Sequence, residues 1–239
     1  MLSRPVRILS GLKMTNTDNL LMQTNLCGIV GHEVVNYMSV IIGICSRNFA
    51  TLWADTRLVQ FNENQVQSVN DNAVKIFQIN EHVLFGCAGY FWKDEQVCDA
   101  IAGLENAGKA SIKVCKDAIL SFLKTSRRTG RVLPVRNYIL AGKQKDGTFI
   151  MYGIHWDPET KKAKTTQYYP YSGDMNFAMV VALPQAPEQF QRECEDNVVR
   201  IIGTSKTYNG LNAGIETLIC EISKRNPTVS PKPMSLRVL

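Results

Sequence analysis

The chain has only three histidines among its 239 residues, and no two of them have the spacing of metal ligands. This scarcity argues against a zinc site and against a catalytic triad built on histidine. No CxxC pair occurs among the seven cysteines, at positions 27, 45, 87, 98, 115, 194 and 220. Several of them lie within apolar runs, which is typical of reduced thiols in a cytoplasmic protein rather than of a disulfide framework.

The chain also lacks an apolar run long enough to span a membrane, since its richest stretch, Val40–Cys45, has only the length of a strand. The net charge of +6 is scattered, and its short basic clusters, Arg127-Arg128 and Lys161-Lys162, have no aromatic residues between them. Nucleic-acid binding needs a concentrated basic surface. We therefore expect neither a membrane nor a nucleic acid as a partner.

Residues 1–38 differ from the rest because they show neither the period of a strand nor that of a helix. We predict that this segment is an unstructured leader, a removable propeptide or a stretch before the true start of translation. Met38 precedes the small residue Ser39, a pair that methionine aminopeptidase trims, so translation from Met38 would also leave Ser39 at the N-terminus. The folded domain is expected over residues 39–239.

Period-2 alternation and β-branched residues predict eight strands. They are Val40–Cys45, Phe49–Ala54, Ala73–Ile79, His82–Cys87, Asn137–Gly142, Thr148–Ile154, Lys164–Tyr168 and Met234–Val238. Residues 60–72 are polar and are predicted to form a loop. Asp146-Gly147 is a strong turn signal between two of the strands.

Apolar residues recur at helical spacing in four segments, 90–106, 110–124, 187–197 and 209–224. The order along the chain is strands, two helices, strands, two helices and a final strand. This order predicts an α+β fold in which two antiparallel sheets pack face to face and helices cover both outer faces. The expected architecture is a four-layer αββα sandwich.

Four residues suited to amide hydrolysis without histidine fall at the ends of predicted strands. Ser39 begins the first strand, Asp55 closes the second, Lys75 lies early in the third and Gly89 ends the fourth. An N-terminal serine can attack a carbonyl while its own α-amine, with an unperturbed pKa near 8, takes the proton. A lysine favours the serine anion, a carboxylate holds the lysine, and a backbone N–H stabilises the oxyanion. The order of these residues predicts an N-terminal-nucleophile hydrolase.

Three segments resemble proteasome β-type subunits and their bacterial HslV-like relatives: SVIIGICSRNFATLWADTR, NAVKIFQINEHVLFGCAG and NYILAGKQKDGTFIMYGI. The resemblance covers about residues 39–226 and is strongest in 39–89. It implies that Ser39 is the nucleophile and that Asp55 and Arg57 belong to the family's ADxR motif. It also implies that Lys75 is the active-site lysine and that Gly89 serves the oxyanion hole.

The same resemblance implies further residues and partners. Leu58, Val59 and Cys87 would line an apolar substrate pocket, while Ser172 and Asn226 would support the site. No metal or cofactor is implied. The substrate would be a peptide or another amide, and the protein would form a homo-oligomeric ring with a possible ATPase or regulator partner. The apolar residues Phe91, Trp92, Val97 and Ile101 of the predicted helix 90–106 are expected at an interface of that oligomer.

The chain departs from the family pattern at several positions, which keeps other functions open. The nucleophile is serine instead of threonine, Met38 precedes it where self-cleaving precursors have glycine, and Asn226 replaces a supporting aspartate. The segment Tyr171–Gly173 is only a partial match to the family's Gly-Ser-Gly. The alternatives are a non-catalytic subunit of the same fold, acting in assembly or binding, and an amidase of the superfamily with a non-peptide substrate.

Cys27 is a second candidate nucleophile, because CGIVG is similar to the mature start of class II glutamine amidotransferases. In that family the catalytic cysteine directly follows the initiator methionine, whereas Leu26 precedes Cys27 here. The arginine and asparagine-glycine segments that such domains use for glutamine do not follow. Ser39 is therefore the preferred nucleophile.

Overall fold

The computed structural model describes residues 39–62, 65–89, 101, 103–104, 106–128, 136–157, 159–170, 177–183 and 186–239. Several predictions lie outside these ranges: the leader 1–38 with Cys27, most of the predicted helix 90–106 with Phe91, Trp92 and Val97, and the supporting residue Ser172. Ile101 is described, and its predicted place at an oligomer interface was wrong, because it is buried in the apolar core of this chain.

Eleven strands are present in the described ranges, and every pairing between them is antiparallel. They are β1 (Ile41–Ser46), β2 (Ala50–Asp55), β3 (Leu58–Asn62), β4 (Gln65–Asn70), β5 (Ile76–Asn80), β6 (Val83–Gly89), β7 (Arg136–Lys143), β8 (Phe149–Asp157), β9 (Lys162–Tyr168), β10 (Phe177–Ala182) and β11 (Pro233–Val238). One sheet has four strands in the order β10-β1-β2-β11, and another has five in the order β5-β6-β7-β8-β9. Strands β3 and β4 form a separate hairpin.

Three α-helices lie in the described part of the chain: α1 (Ile112–Arg128), α2 (Glu188–Thr204) and α3 (Tyr208–Arg225). Apolar residues of α1 pack on the five-stranded sheet, while those of α2 and α3 pack on the four-stranded sheet. Among the described residues, no helix combines the length and the apolar character that crossing a membrane would require.

The two sheets face each other across a third apolar core, to which Ile41 and Leu52 contribute from one sheet and Leu84 and Met151 from the other. The four layers are therefore helices, sheet, sheet and helix, and the predicted mixed α+β architecture of antiparallel sheets is confirmed at this level. Strands β1 and β2 are buried on both faces. Alternate side chains of a strand point to opposite faces, so these two strands need the continuous apolar runs that the sequence shows.

The close approach of the sheets depends on Gly43 in the middle of β1. A Cβ atom at this position would lie 2.9 Å from Val180 Cγ1, 3.0 Å from Met151 Sδ and 3.1 Å from a Leu52 methyl group. These distances leave no room for a methyl group without a shift of the surrounding side chains. The glycine in IIGICS is therefore a packing requirement at the centre of the sandwich.

The predicted secondary structure was wrong or incomplete in three places. Residues 60–72, predicted as a loop, contain the end of β3 and all of β4. Within the described ranges this hairpin pairs with no other strand. The many Gln and Asn residues of 60–72 led to the loop prediction. Strand β10 was not predicted, although it pairs along the whole length of β1. The helix predicted over 187–197 continues to Thr204.

Candidate active site

Asp55, the last residue of β2, is fully buried and accepts hydrogen bonds on both carboxylate oxygens. Oδ1 accepts from the backbone N–H of Val40 at 2.8 Å. Oδ2 accepts from the N–H of Arg57 at 2.9 Å and from the N–H of Ser230 at 3.3 Å. A buried carboxylate is stable only when its oxygens are satisfied. Asp55 thus joins the start of β1, the end of β2 and the segment before β11 at one point.

Lys75 provides the positive charge that compensates Asp55. It precedes β5, is 1% exposed, and its Nζ lies 2.8 Å from Oδ1 and 2.9 Å from Oδ2 of Asp55. The same Nζ lies 3.2 Å from Oγ of Ser39. An ammonium group has three protons to donate, and these three oxygens match them in number. The structure therefore brings together three residues that the sequence predicted as one site.

Ser39 is partly exposed, unlike Val40, which is fully buried and begins the run of core residues. The chain of contacts from Ser39 to Lys75 to Asp55 consequently runs from the surface into the interior. A positive charge beside a hydroxyl favours its anion. Because a buried carboxylate fixes that charge in place, the arrangement can stabilise negative charge on Oγ without moving a side chain.

Arg57 binds Asp71 instead of reaching the three central residues with its side chain. Its Nε lies 2.5 Å from Oδ1 of Asp71 and its second terminal nitrogen 2.7 Å from Oδ2, which is a two-point ion pair. Its other terminal nitrogen donates to the carbonyl of Pro227 at 2.6 Å. Hydrogen bonding to Arg57 holds the pKa of Asp71 below its usual value, and the pKa of Arg57 is raised by the same bond.

The loop after α3 forms another wall of the site. Asn226 ends the helix, and its Oδ1 accepts from the N–H of Thr228 at 2.9 Å and from its hydroxyl at 2.6 Å. This turn leads to the buried Ser230, whose N–H contacts Asp55 and whose hydroxyl lies 3.2 Å from that of Thr56. Asn226 therefore shapes the loop that leads to Ser230, and its role in supporting catalysis stays a prediction.

Asp71 and Ser230 were not identified from the sequence. Both lie in irregular segments, one in a turn and the other among prolines, where no periodicity marks a side chain as buried or paired. Ser230 meets Asp55 across 175 positions of the chain. A serine before a proline is a common turn residue, so the sequence offered no local signal for either contact.

Gly89 ends β6 with φ = 125°, a conformation that strongly favours glycine. Cys87, two residues earlier, donates its N–H to the carbonyl of Lys75 at 3.0 Å. Two residues of strand advance the chain by about 7 Å, so Gly89 lies at the end of the sheet where Lys75 enters it. Its assignment to an oxyanion hole stays a prediction.

The three predicted pocket residues have different surroundings. Leu58 and Val59 open β3 and are half-buried, and as neighbours in a strand they point to opposite faces of the hairpin. Cys87 is buried in the core between the five-stranded sheet and α1. Their role in binding a substrate stays a prediction.

Within the described ranges, no three histidine, cysteine, aspartate or glutamate side chains come together as a metal site would require. No protein-family model matches the chain, and no curated protein is significantly similar to it in sequence.

Proposed function

We propose that this chain is a hydrolase of peptide or other amide bonds in which Ser39, freed of residues 1–38, is the N-terminal nucleophile. The observation that carries the proposal is the contact chain of Ser39 Oγ, Lys75 Nζ and the Asp55 carboxylate. Burying two charges costs free energy of folding. Here the buried Lys75–Asp55 pair contacts the hydroxyl of Ser39, a partly exposed residue that would become the new N-terminus.

The proposed reaction has two steps. The α-amine of Ser39 takes the proton of Oγ as the oxygen attacks the amide carbonyl, and the Lys75 ammonium stabilises the developing negative charge. The carbonyl oxygen becomes an oxyanion, to which the backbone N–H of Gly89 donates. Collapse of this intermediate breaks the C–N bond, and the α-amine returns the proton to the leaving amine. Water then hydrolyses the ester on Ser39 by the same route.

The layered arrangement of helices, two antiparallel sheets and helices is consistent with the N-terminal-nucleophile fold that the sequence resemblance implies. On this proposal the chain is similar to a proteasome β-type subunit and works in a homo-oligomeric ring, where an ATPase or another regulator could control access. Substrates would bind beside Ser39, with Leu58, Val59 and Cys87 as pocket residues.

A non-catalytic subunit of the same fold is the second candidate, and the loop at Asn226 favours it. Where the resembling family has a charged aspartate, this chain has an amide whose oxygen is committed to Thr228. A subunit that had lost its reaction could retain Asp55 and Lys75 for stability alone. Turnover, not structure, separates the two candidates.

The test begins with the intact mass of the purified full chain, which tells whether residues 1–38 are removed. A form beginning at Ser39 is then assayed with a panel of fluorogenic peptide amides, with Ser39→Ala as the matched control. Hydrolysis that disappears in the control supports the proposal. Absence of turnover across the panel in an assembled protein with a free Ser39 would exclude a peptidase and leave the non-catalytic subunit and the amidase with a non-peptide substrate.

A further inference from the structure

Two short segments of the site run antiparallel and are joined by three successive contacts. Asp55 binds Lys75 through the buried ion pair. The carbonyl of Thr56 accepts from the N–H of Ala73 at 2.9 Å. Arg57 then binds Asp71 at the outer end. The segment that carries the carboxylate and the segment that carries the lysine are thus held together residue by residue, from the surface to the interior.

The outer contact is the most constrained of the three in geometry. A two-point pair fixes both the distance and the orientation of the guanidinium and carboxylate planes. Side-chain exposures of 19% for Arg57 and 29% for Asp71 show that the pair is shielded from solvent over most of its surface. Arg57 also donates to Pro227 O, so the pair ties the turn at Asp71 to the loop that delivers Ser230.

We propose that Asp71 is a positioning residue for the reaction at Ser39, acting through Arg57 to hold the Lys75 segment against Asp55. The inference rests on the proposed function and adds to it a residue outside the predicted site. Asp71 does not have to contact a substrate. It fixes the backbone of residues 71–75 and thereby the position of Lys75, which contacts Ser39. Shifts of about 1 Å at reacting groups reduce turnover by about 100-fold, which sets the scale of the expected effect.

The charges of the site alternate in sign, from Asp71 to Arg57, Asp55 and Lys75, with Lys232 as a further positive group acting on Asp71. Replacing Asp71 by asparagine leaves one positive charge uncompensated. This excess disfavours protonation of the Ser39 α-amine, so the acid limb of kcat/KM should move to lower pH.

The experiment compares Asp71→Asn, Asp71→Glu and the control Asn72→Ala in the assembled protein. Asn72 is the exposed neighbour of Asp71 in the same turn, and Asn72→Ala should behave as wild type. We expect Asp71→Asn to lower kcat by about 10- to 100-fold with KM within twofold and to move the acid limb downward. Asp71→Glu, which keeps the charge, should retain the wild-type pH profile and part of the rate. Turnover of Asp71→Asn within twofold of wild type would overturn the inference.

A second readout does not depend on turnover. Brief labelling of lysine amines with acetic anhydride, followed by peptide mass spectrometry, reports how well Lys75 is held in its buried position. Its labelling should be at least fivefold faster in Asp71→Asn and unchanged in Asn72→Ala. If wild type itself hydrolyses nothing, the proposed function fails, and this labelling alone decides the positioning role. Lys75 labelling equal to wild type in Asp71→Asn would overturn it in either case.

Discussion

The ammonium of Lys75 contacts both carboxylate oxygens of Asp55, at 2.8 and 2.9 Å, and both side chains are buried. Such a pair is poor evidence of stabilisation by itself, because the desolvation of two charges can exceed their attraction. Its geometry is informative in another way. The third N–H of the Lys75 ammonium donates to Ser39 Oγ. The buried pair therefore holds a positive charge next to a hydroxyl near the surface.

Breaking this pair should affect stability and activity together. Asp55→Asn and Lys75→Ala each leave one buried charge without its partner, and each should lower the free energy of unfolding by about 3–5 kcal/mol. Turnover should fall by several orders of magnitude because the charge beside Ser39 is lost or misplaced. Urea unfolding and hydrolysis of a peptide amide provide the two measurements.

The double variant Asp55→Asn/Lys75→Met serves as the control for this prediction. It removes both charges, so part of the lost stability should return; the rest stays lost because asparagine has only one oxygen for the backbone N–H groups that Asp55 accepts from. Activity should stay absent. A Lys75→Ala protein with near wild-type turnover would show that Lys75 is only a structural residue and would favour the non-catalytic subunit.

Ser39→Ala should abolish hydrolysis without changing the fold. The side chain is small, lies before β1 and is partly exposed, so little packing is lost. Cys27→Ala is the companion variant and should leave turnover unchanged. Rates and circular dichroism spectra would be compared with wild type. Activity of Ser39→Ala within a few-fold of wild type would remove Ser39 from its proposed role.

The sequence predicted the central part of this site because strand ends could be located from it. The apolar runs of β1 and β2 placed Ser39 and Asp55 at strand termini. A further apolar run placed Lys75 early in a strand predicted over Ala73–Ile79, whereas in the structure Lys75 directly precedes β5. It could not predict the contacts of Asp71 or Ser230. Asp71 lies in a turn and Ser230 in the loop after α3, and each contacts a residue distant in the sequence. Local sequence propensity does not predict such long-range contacts.

The same reasoning explains the errors in secondary structure. Periodicity reports burial, so it found eight of the nine strands of the two packed sheets, all except β10, and the apolar faces of α1 and α3. Strands β3 and β4 pair with each other through their own backbone ladder, and the many Gln, Asn and Ser residues of 60–72 do not show the alternation of apolar and polar residues by which the other strands were predicted. A polar hairpin and a polar loop are alike by this criterion.

Three buried thiols should resist alkylation in the native protein. Burial raises the pKa of Cys45 to about 12, and that of Cys115 and of Cys194 to about 11 each. The thiolate is the reactive form, so iodoacetamide at pH 8 should label these residues only after unfolding. Cys220 is partly exposed and should react first among the described cysteines. Peptide mass spectrometry gives the order, and rapid native labelling of Cys45 would contradict the packed core.

The proposed ring predicts a stable homo-oligomer. Light scattering on the purified form that begins at Ser39 should give a mass several times that of one chain at micromolar concentration. Trp92→Ser, which falls in the apolar helix predicted over 90–106, should shift that mass toward a single chain if the helix forms the interface. A monomer at high micromolar concentration would exclude a ring and with it a sequestered chamber for hydrolysis.

The Arg57–Asp71 pair should make stability depend on pH in a defined direction. The folded pKa of Asp71 is lowered by its hydrogen bonds to Arg57, so the unfolded chain binds the proton more tightly. The contribution of the pair to the free energy of unfolding is therefore present above the unfolded pKa of about 3.9. It is lost as the pH falls through the pKa of Asp71 in the folded state. Because the pair is partly exposed, that contribution is at most about 1 kcal/mol.

Urea unfolding of wild type and Asp71→Asn at a series of pH values isolates this effect, since all other carboxylates are common to both proteins. The difference in unfolding free energy should be largest near pH 7 and should shrink as the pH falls below the unfolded pKa of about 3.9. Asn72→Ala should show no such pH-dependent difference. A difference in unfolding free energy that stayed constant from pH 7 to pH 2 would contradict this prediction. It would mean that the charge of Asp71 does not stabilise the fold.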